Sequence, residues 1–135
     1  EISFLKTYIK LENLRFGNRI SVSIEFDKAI DYHIRIPVML LQPFVENVFV
    51  HAFNENHPNP KLNITFTMKS SELLECKIID NGNGKASFSK IKLHESKALK
   101  LAQERLKLIQ PEIENPIITD FTENDGSCVS IVLKV

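Results

Sequence analysis

Cys76-Lys77-Ile78-Ile79-Asp80-Asn81-Gly82-Asn83-Gly84 is the stretch on which the reading of this chain turns. A β-like run from Leu73 delivers one carboxylate, Asp80, at its end and then gives way to two alternating glycines. Glycine admits positive φ and leaves room where a Cβ would stand, so the backbone can come close to a neighbour or a ligand. Asn-Gly is also the commonest tight-turn dipeptide, and these nine residues alone suit a plain hairpin equally well. The segment that follows separates the two. A hairpin turn returns at once into a strand, whereas residues 85 to 96 hold several Lys and Ser and no sustained period, a loop of a length usually kept for function.

Upstream, Lys61 to Lys69 and Leu73 to Asp80 read as two strands joined across Ser70-Ser71-Glu72. Asn54 to Pro60 is a cluster of turn residues before them. From Val38 to about Phe53 the apolar positions return every three or four residues, which predicts a helix with Pro43 tolerated near its first turn. Leu41, Phe44, Val45, Val48 and Ala52 form its buried stripe, and Asn47 and His51, four apart, share one edge. An amide there can offer oxygen to a hard cation while remaining uncharged beside apolar packing, or can be satisfied by backbone.

Further out, Ile20, Val22, Ile24 and Phe26 alternate with polar residues as a half-buried strand does. Residues 1 to 15 read as a helix stopped by Gly17-Asn18, with the chain entered in mid-helix rather than through a signal peptide. Downstream, a helix from about Ser96 to Gln110 places Leu99, Ala102, Leu106 and Ile109 on one face. Strands Pro116 to Thr122 and Cys128 to Val135 flank a turn at Asn124-Asp125-Gly126. Paired strands with helices between the pairs predict an α/β fold, a two-layer sandwich of a mixed, largely antiparallel sheet covered on one face by helices.

The 135 residues suit one domain with a single core. Lys+Arg and Asp+Glu both number 17, which gives no support for nucleic acid as a partner. No apolar run reaches the ~18 residues of a membrane span. Cys76 and Cys128 lie in strand-like stretches without ligand spacing and read as reduced, buried thiols, and His33, His57 and His94 are given no metal. Neither a P-loop nor a dinucleotide fingerprint is present, so any nucleotide is held another way.

At this point the motifs resemble a family. Leu40-Leu41-Gln42-Pro43-Phe44-Val45-Glu46-Asn47 with His51 resembles the asparagine box of LytS-type sensor histidine kinases, and Asp80 to Gly84 their first glycine box. Tyr8, Leu11, Glu12, Arg15 and Phe16 resemble the signature preceding the ATPase domain. Ser96 to Lys100 with Gln103 to Leu106 resembles the second glycine box and its helix, and Gly126-Ser127 with Val129 resembles the glycine before the last strand.

The resemblance implies a Bergerat-fold (GHKL) ATPase domain over residues 18 to 135, preceded at 1 to 17 by the end of a helical dimerisation region. It implies an ATP site in which Asp80 accepts from the adenine amino group, Gly82 and Gly84 let the backbone pass close, and Asn47 binds Mg²⁺. His51 would contact the ribose or phosphates, amides at Ala98 and Leu99 would meet the phosphates, and residues 85 to 97 would form the lid. Glu46 is the one candidate for acid or base work, although its helical angle turns it from Asn47. Implied partners are an upstream phosphoacceptor domain of the same protein and a response regulator, within a membrane-anchored homodimer whose catalytic part is cytoplasmic. No Asn-Pro-His-Phe-type phosphoacceptor segment occurs here. Val50 stands where lysine is frequent, and Ala52 and Ala98 where glycine is usual, so a degenerate module that keeps the fold without efficient transfer is the rival expectation.

Overall fold

The computed structural model describes residues 1–53, 56–83, 97–122 and 126–135. In chain order these residues form α1 (Ile2–Arg15), β1 (Ser21–Phe26), α2 (Gln42–Asn47) continued by a π-helical turn (Val48–Ala52), β2 (Lys61–Met68), β3 (Leu73–Asp80), α3 (Lys97–Ile109), β4 (Ile117–Thr122) and β5 (Gly126–Lys134). The five strands make one sheet in the order β1-β2-β3-β5-β4. Only β1 and β2 run parallel, with α2 and its π-turn in the crossover between them, and the other pairs are antiparallel. The mixed, largely antiparallel sheet expected from the alternating runs is the one observed.

Period two along each strand decides what the sheet buries. Leu62, Ile64 and Phe66 on β2, Leu74, Cys76 and Ile78 on β3, and Ile131 and Leu133 on β5 all face inward. Leu5 and Ile9 of α1, Phe44 and Val45 of α2, Val48, Phe49 and Ala52 of the π-turn, and Ala102 and Leu106 of α3 close the same cluster from the other side. Burying each such Leu, Ile or Phe side chain contributes roughly 1.5–3 kcal/mol, so this one-sided core holds the two layers together. Helix α1 ends where Gly17 and Asn18 take positive φ. The Asn13 side chain then bonds both the N–H and the carbonyl of Ile20, tying the helix to the start of β1.

Four expectations are corrected. The second helix begins at Gln42 rather than Val38, because Met39 adopts φ +58 and breaks the helical path. The turn before Gln42 is held from outside: the Glu1 carboxylate accepts from the backbone N–H groups of Met39 and Leu41, and the Arg105 guanidinium donates to the Val38 carbonyl. The helix also widens into a π-turn at Val48. Ile109 is exposed and Gln110 is buried in its place, where its amide bonds Val132 O at 2.7 Å and Lys134 N at 3.0 Å. Finally, Cys76 is buried but Cys128, on the outer face, is only half-buried.

Candidate functional site

The inward series on β3 does not stop at Ile78. Its next member is Asp80, a carboxylate only 3% exposed at the end of the strand, on the helix-covered face. A buried carboxylate is costly unless its oxygens are hydrogen-bonded. Oδ1 accepts from the Gly82 N–H at 2.8 Å, and Oδ2 accepts from the Ser127 hydroxyl in a short hydrogen bond. Asp80 and Ser127 are opposite each other in the β3–β5 ladder. With about four lone-pair sites on the carboxylate and two used, Asp80 keeps capacity for a donor arriving from the strand end.

Two of the three described glycines, Gly126 and Gly82, stand where backbone meets backbone. A Cβ on Gly126, whose φ is +90, would lie 1.9 Å from the Asp80 carbonyl oxygen. A Cβ on Gly82 would lie 2.2 Å from the Ala52 carbonyl oxygen, and that same oxygen accepts from the Asn83 N–H at 2.8 Å. Thus the turn after β3 is docked on the end of the π-turn, and Asp80 is fixed relative to the helix that carries Asn47 and His51. Asn81 braces the opposite side: its amide bonds Lys61 N and Asn59 O, and its carbonyl meets His57 Nε2 at 2.8 Å.

Along Gln42 to Ala52 the exposed side carries Glu46 and Val50, the latter 60% exposed, with Asn47 and His51 half-buried beside them. Glu46 faces α1. Burial raises the Tyr8 hydroxyl to about 12, and the carboxylates of Glu12 and Glu46 push in the same direction against Arg15. The Tyr8 and Phe16 rings both meet Phe49, with centroids 6.4 and 5.9 Å away, so α1 lies against this helix at its second turn and at its end. The ends of α1 and the π-turn enclose an open hollow of about 570 Å³.

Of the residues expected to hold nucleotide, Asp80 and Gly82 are brought together with Ala52, and Asn47 and His51 share the helix ending there. Leu99 lies half-buried in the first turn of α3, and the Ala98 backbone is in that same turn. Gly84, and the lid but for Lys97, lie outside the described residues. Among the described residues no group of three His, Cys, Asp or Glu side chains could hold a metal ion. Asn47, one amide oxygen on a partly open helix face, suits an ion that keeps several waters and takes most of its ligands from phosphates, as Mg²⁺ does. Ser127, quoted with Gly126 in the motif but given no role there, is the side chain that the structure adds to the candidate site. Its signal was the glycine before it, but its meaning needs the β3–β5 register.

No family model matches the chain. It is 28% identical over its whole length to the putative uncharacterized protein YwpD of Bacillus subtilis strain 168, of which it covers 49%. It is 31% identical to the sensor protein LytS of Enterococcus faecalis over 62% of its length and 14% of that protein. To the sensor protein kinase HptS of Staphylococcus aureus it is 29% identical over 64% of its length and 16% of that protein. The chain thus spans about half the length of the first of these relatives and a much smaller share of the sensor proteins. Among solved structures, the histidine kinase domain of the Erythrobacter litoralis EL346 blue-light activated histidine kinase superposes with TM-score 0.68 at 16% identity, covering 97% of this chain and 63% of that one. The catalytic domain of histidine kinase ThkA gives 0.55 at 17% identity, covering 96% and 92%. The chain is thus similar in sequence to parts of the sensor protein LytS and the sensor protein kinase HptS, and it has the fold of histidine kinase catalytic domains.

Proposed function

We propose that residues 18 to 135 are the ATP-binding catalytic domain of a two-component sensor histidine kinase, donating the γ-phosphoryl group to a histidine on another domain for relay to a response regulator. The observation that carries this reading is Asp80: a buried carboxylate on the helix-covered face at a strand end, locked by Gly82 and Ser127 yet with lone pairs to spare. An exocyclic amino group such as that of adenine is the complementary donor. Residues 1 to 17 would continue into the dimerisation region of a membrane-anchored homodimer.

In this reading the chain supplies placement rather than covalent chemistry. Asp80 orients the base, and Gly82 keeps Asp80 and the Asn47-bearing helix at a fixed spacing. A bound Mg²⁺ would neutralise phosphate charge, with Asn47 as its protein ligand. His51 would sit beside the ribose and phosphates, and the first-turn amides of Ala98 and Leu99 would face the phosphates, with the lid at about 85 to 97 and Gly84 as its hinge. The acceptor imidazole attacks the γ-phosphorus in line, a P–N bond forms as the bond to the β-bridging oxygen breaks, and ADP leaves. Glu46 is exposed, its charge acts on Tyr8 of α1, and it is left without a role in proton transfer.

One observation favours a second reading, a nucleotide-binding regulatory module without efficient transfer. From Gln42 to Ala52 there is no Lys or Arg, and Val50 occupies the exposed ridge beside Asn47. Calorimetric titration with Mg-ATP, alongside radiolabel transfer to a separately supplied phosphoacceptor domain, tests both readings. The parent should bind ATP, Asp80→Asn should lose more than about tenfold in affinity, and Asn47→Ala should lose the magnesium dependence. Unchanged affinity in both variants overturns the site, and binding without transfer selects the regulatory module.

A further inference from the structure

We propose that His57 is a positioning residue of the candidate nucleotide site, acting on Asp80 through the one peptide group that joins Asn81 to Gly82. The assignment rests on the nucleotide-binding reading above. His57 lies in the turn segment before β2 and belongs to none of the motifs. Its Nε2 is 2.8 Å from the Asn81 carbonyl oxygen, and its Nδ1 accepts from the Asn59 N–H at 3.3 Å. A carbonyl oxygen can only accept and a backbone N–H can only donate, so these two partners select the neutral tautomer with its proton on Nε2. The ring stands edge-on to that of the buried Phe53, with centroids 5.4 Å apart. Both the place and the direction of the donor are therefore set.

What that donor meets is half of a peptide group. The Asn81 carbonyl and the Gly82 N–H belong to one planar trans unit, so they point in opposite directions. The carbonyl accepts from His57 on one side, and the N–H donates to Asp80 Oδ1 at 2.8 Å on the other. Turning that peptide about its flanking bonds would break both contacts at once. A hydrogen bond at the carbonyl also polarises the group and strengthens its N–H as a donor. Three further bonds hold Asn81: its N–H donates to Lys61 O at 3.3 Å, its Oδ1 accepts from Lys61 N at 2.7 Å, and its Nδ2 donates to Asn59 O at 2.7 Å. Of the four, the bond from His57 is the one made to the peptide that faces Asp80. With Ser127 on Oδ2, the carboxylate is then steered from both of its oxygens, and its remaining lone pairs take one direction. Loss of the His57 donor leaves the carboxylate in place but loosens that direction. The property that suffers is discrimination between bases rather than binding as a whole.

The test compares Mg-ATP with the magnesium complex of inosine triphosphate, which carries oxygen where adenine carries its amino group. Both are titrated calorimetrically into the parent, His57→Phe, His57→Gln, Asp80→Asn and the His57→Phe, Asp80→Asn double variant, with urea denaturation to establish that each is folded. His57→Phe keeps a ring beside Phe53 and removes the donor, whereas His57→Gln returns a donor at about the same reach. The parent should prefer ATP by about tenfold. His57→Phe should lower that preference to about threefold while holding inosine triphosphate within about twofold, and His57→Gln should recover most of it. In the Asp80→Asn background His57→Phe should change the preference no further, because the two residues act as one unit. Should His57→Phe fail to fold, His57→Asn, whose shorter amide does not reach the Asn81 carbonyl, is compared with His57→Gln in the same way. A donor-less variant that keeps the parent's preference overturns the positioning role and leaves the nucleotide site standing. Equal weakening of both nucleotides marks a merely structural part and overturns it too. A parent that binds neither nucleotide, or both alike, removes the reading of Asp80 and this assignment with it.

Discussion

The two ends of the candidate cleft are built on opposite principles. Around Asp80 the described polar atoms of the carboxylate are engaged, and two glycines stand where backbone touches backbone, so the geometry is closed by sterics. Around Asn47 and Val50 the surface is open, the helix's own charge there is the Glu46 carboxylate, and the arginines that line the neighbouring hollow with Val50 lie on α1 and the segment after it. In the proposed site, base recognition would therefore be part of the fold's own packing, whereas the end proposed for the phosphates is an arrangement of side chains over a fold that does not depend on them. Substitutions at the first should cost stability and affinity together, and at the second affinity alone.

The largest effect that can break this contrast is at Gly126. Gly126→Ala has both a strained φ and a Cβ driven into the Asp80 carbonyl, and it should lose about 3 kcal/mol or more in urea denaturation. Gly82→Ala should lose about 2 kcal/mol by clash with Ala52, while Val50→Ala at the open end should stay within about 0.5 kcal/mol. Comparable losses at all three positions would erase the distinction. A smaller effect sharpens it: Ser127→Ala removes one donor to a buried charge and should cost about 1.5 kcal/mol together with nucleotide affinity, if the two properties are coupled there.

The smallest effect concerns the contact between α1 and the open end, where burial and nearby carboxylates act together on Tyr8. Tyr8 is raised from its ordinary value near 10 to about 12, first by burial and then by Glu12 and Glu46. The sign follows from linkage: the folded form holds its phenolic proton longer, so this contribution to stability is intact below about pH 10 and is lost as pH rises toward 12. Phenolate absorbance of a Tyr32→Phe protein should titrate in that upper range, and Glu46→Gln should move it partway down. No movement with Glu46→Gln would place that carboxylate away from α1.

Most of the fold was legible because strands announce themselves locally. The alternations in Lys61–Met68 and Leu73–Asp80 name both their extent and their buried face. What escaped was set at a distance. The late start of α2 depends on Glu1, 38 to 40 residues away, accepting from Met39 and Leu41, and nothing in Val48 to Ala52 foretells a π-turn. Ile109 and Gln110 exchanged places because the Gln110 amide finds backbone partners on β5. In the candidate site, motifs pointed to Asp80 and to the need for glycine at 82, yet only the register revealed Ser127, and only the docking of the turn revealed Ala52 as the neighbour that glycine spares.

Gly126 has a further consequence for how the sheet is aligned. In an antiparallel ladder a slip of one residue exchanges the two faces of a strand, so Ser127 would turn away from Asp80 and the inward Ile131 and Leu133 would face water. Among the described residues of β5, Gly126 is the one glycine, and the space against the Asp80 carbonyl admits no Cβ. That single position acts as an indexing pin: strands β3 and β5 mesh at one setting, and the setting that fits the backbone is also the one that brings hydroxyl and carboxylate together.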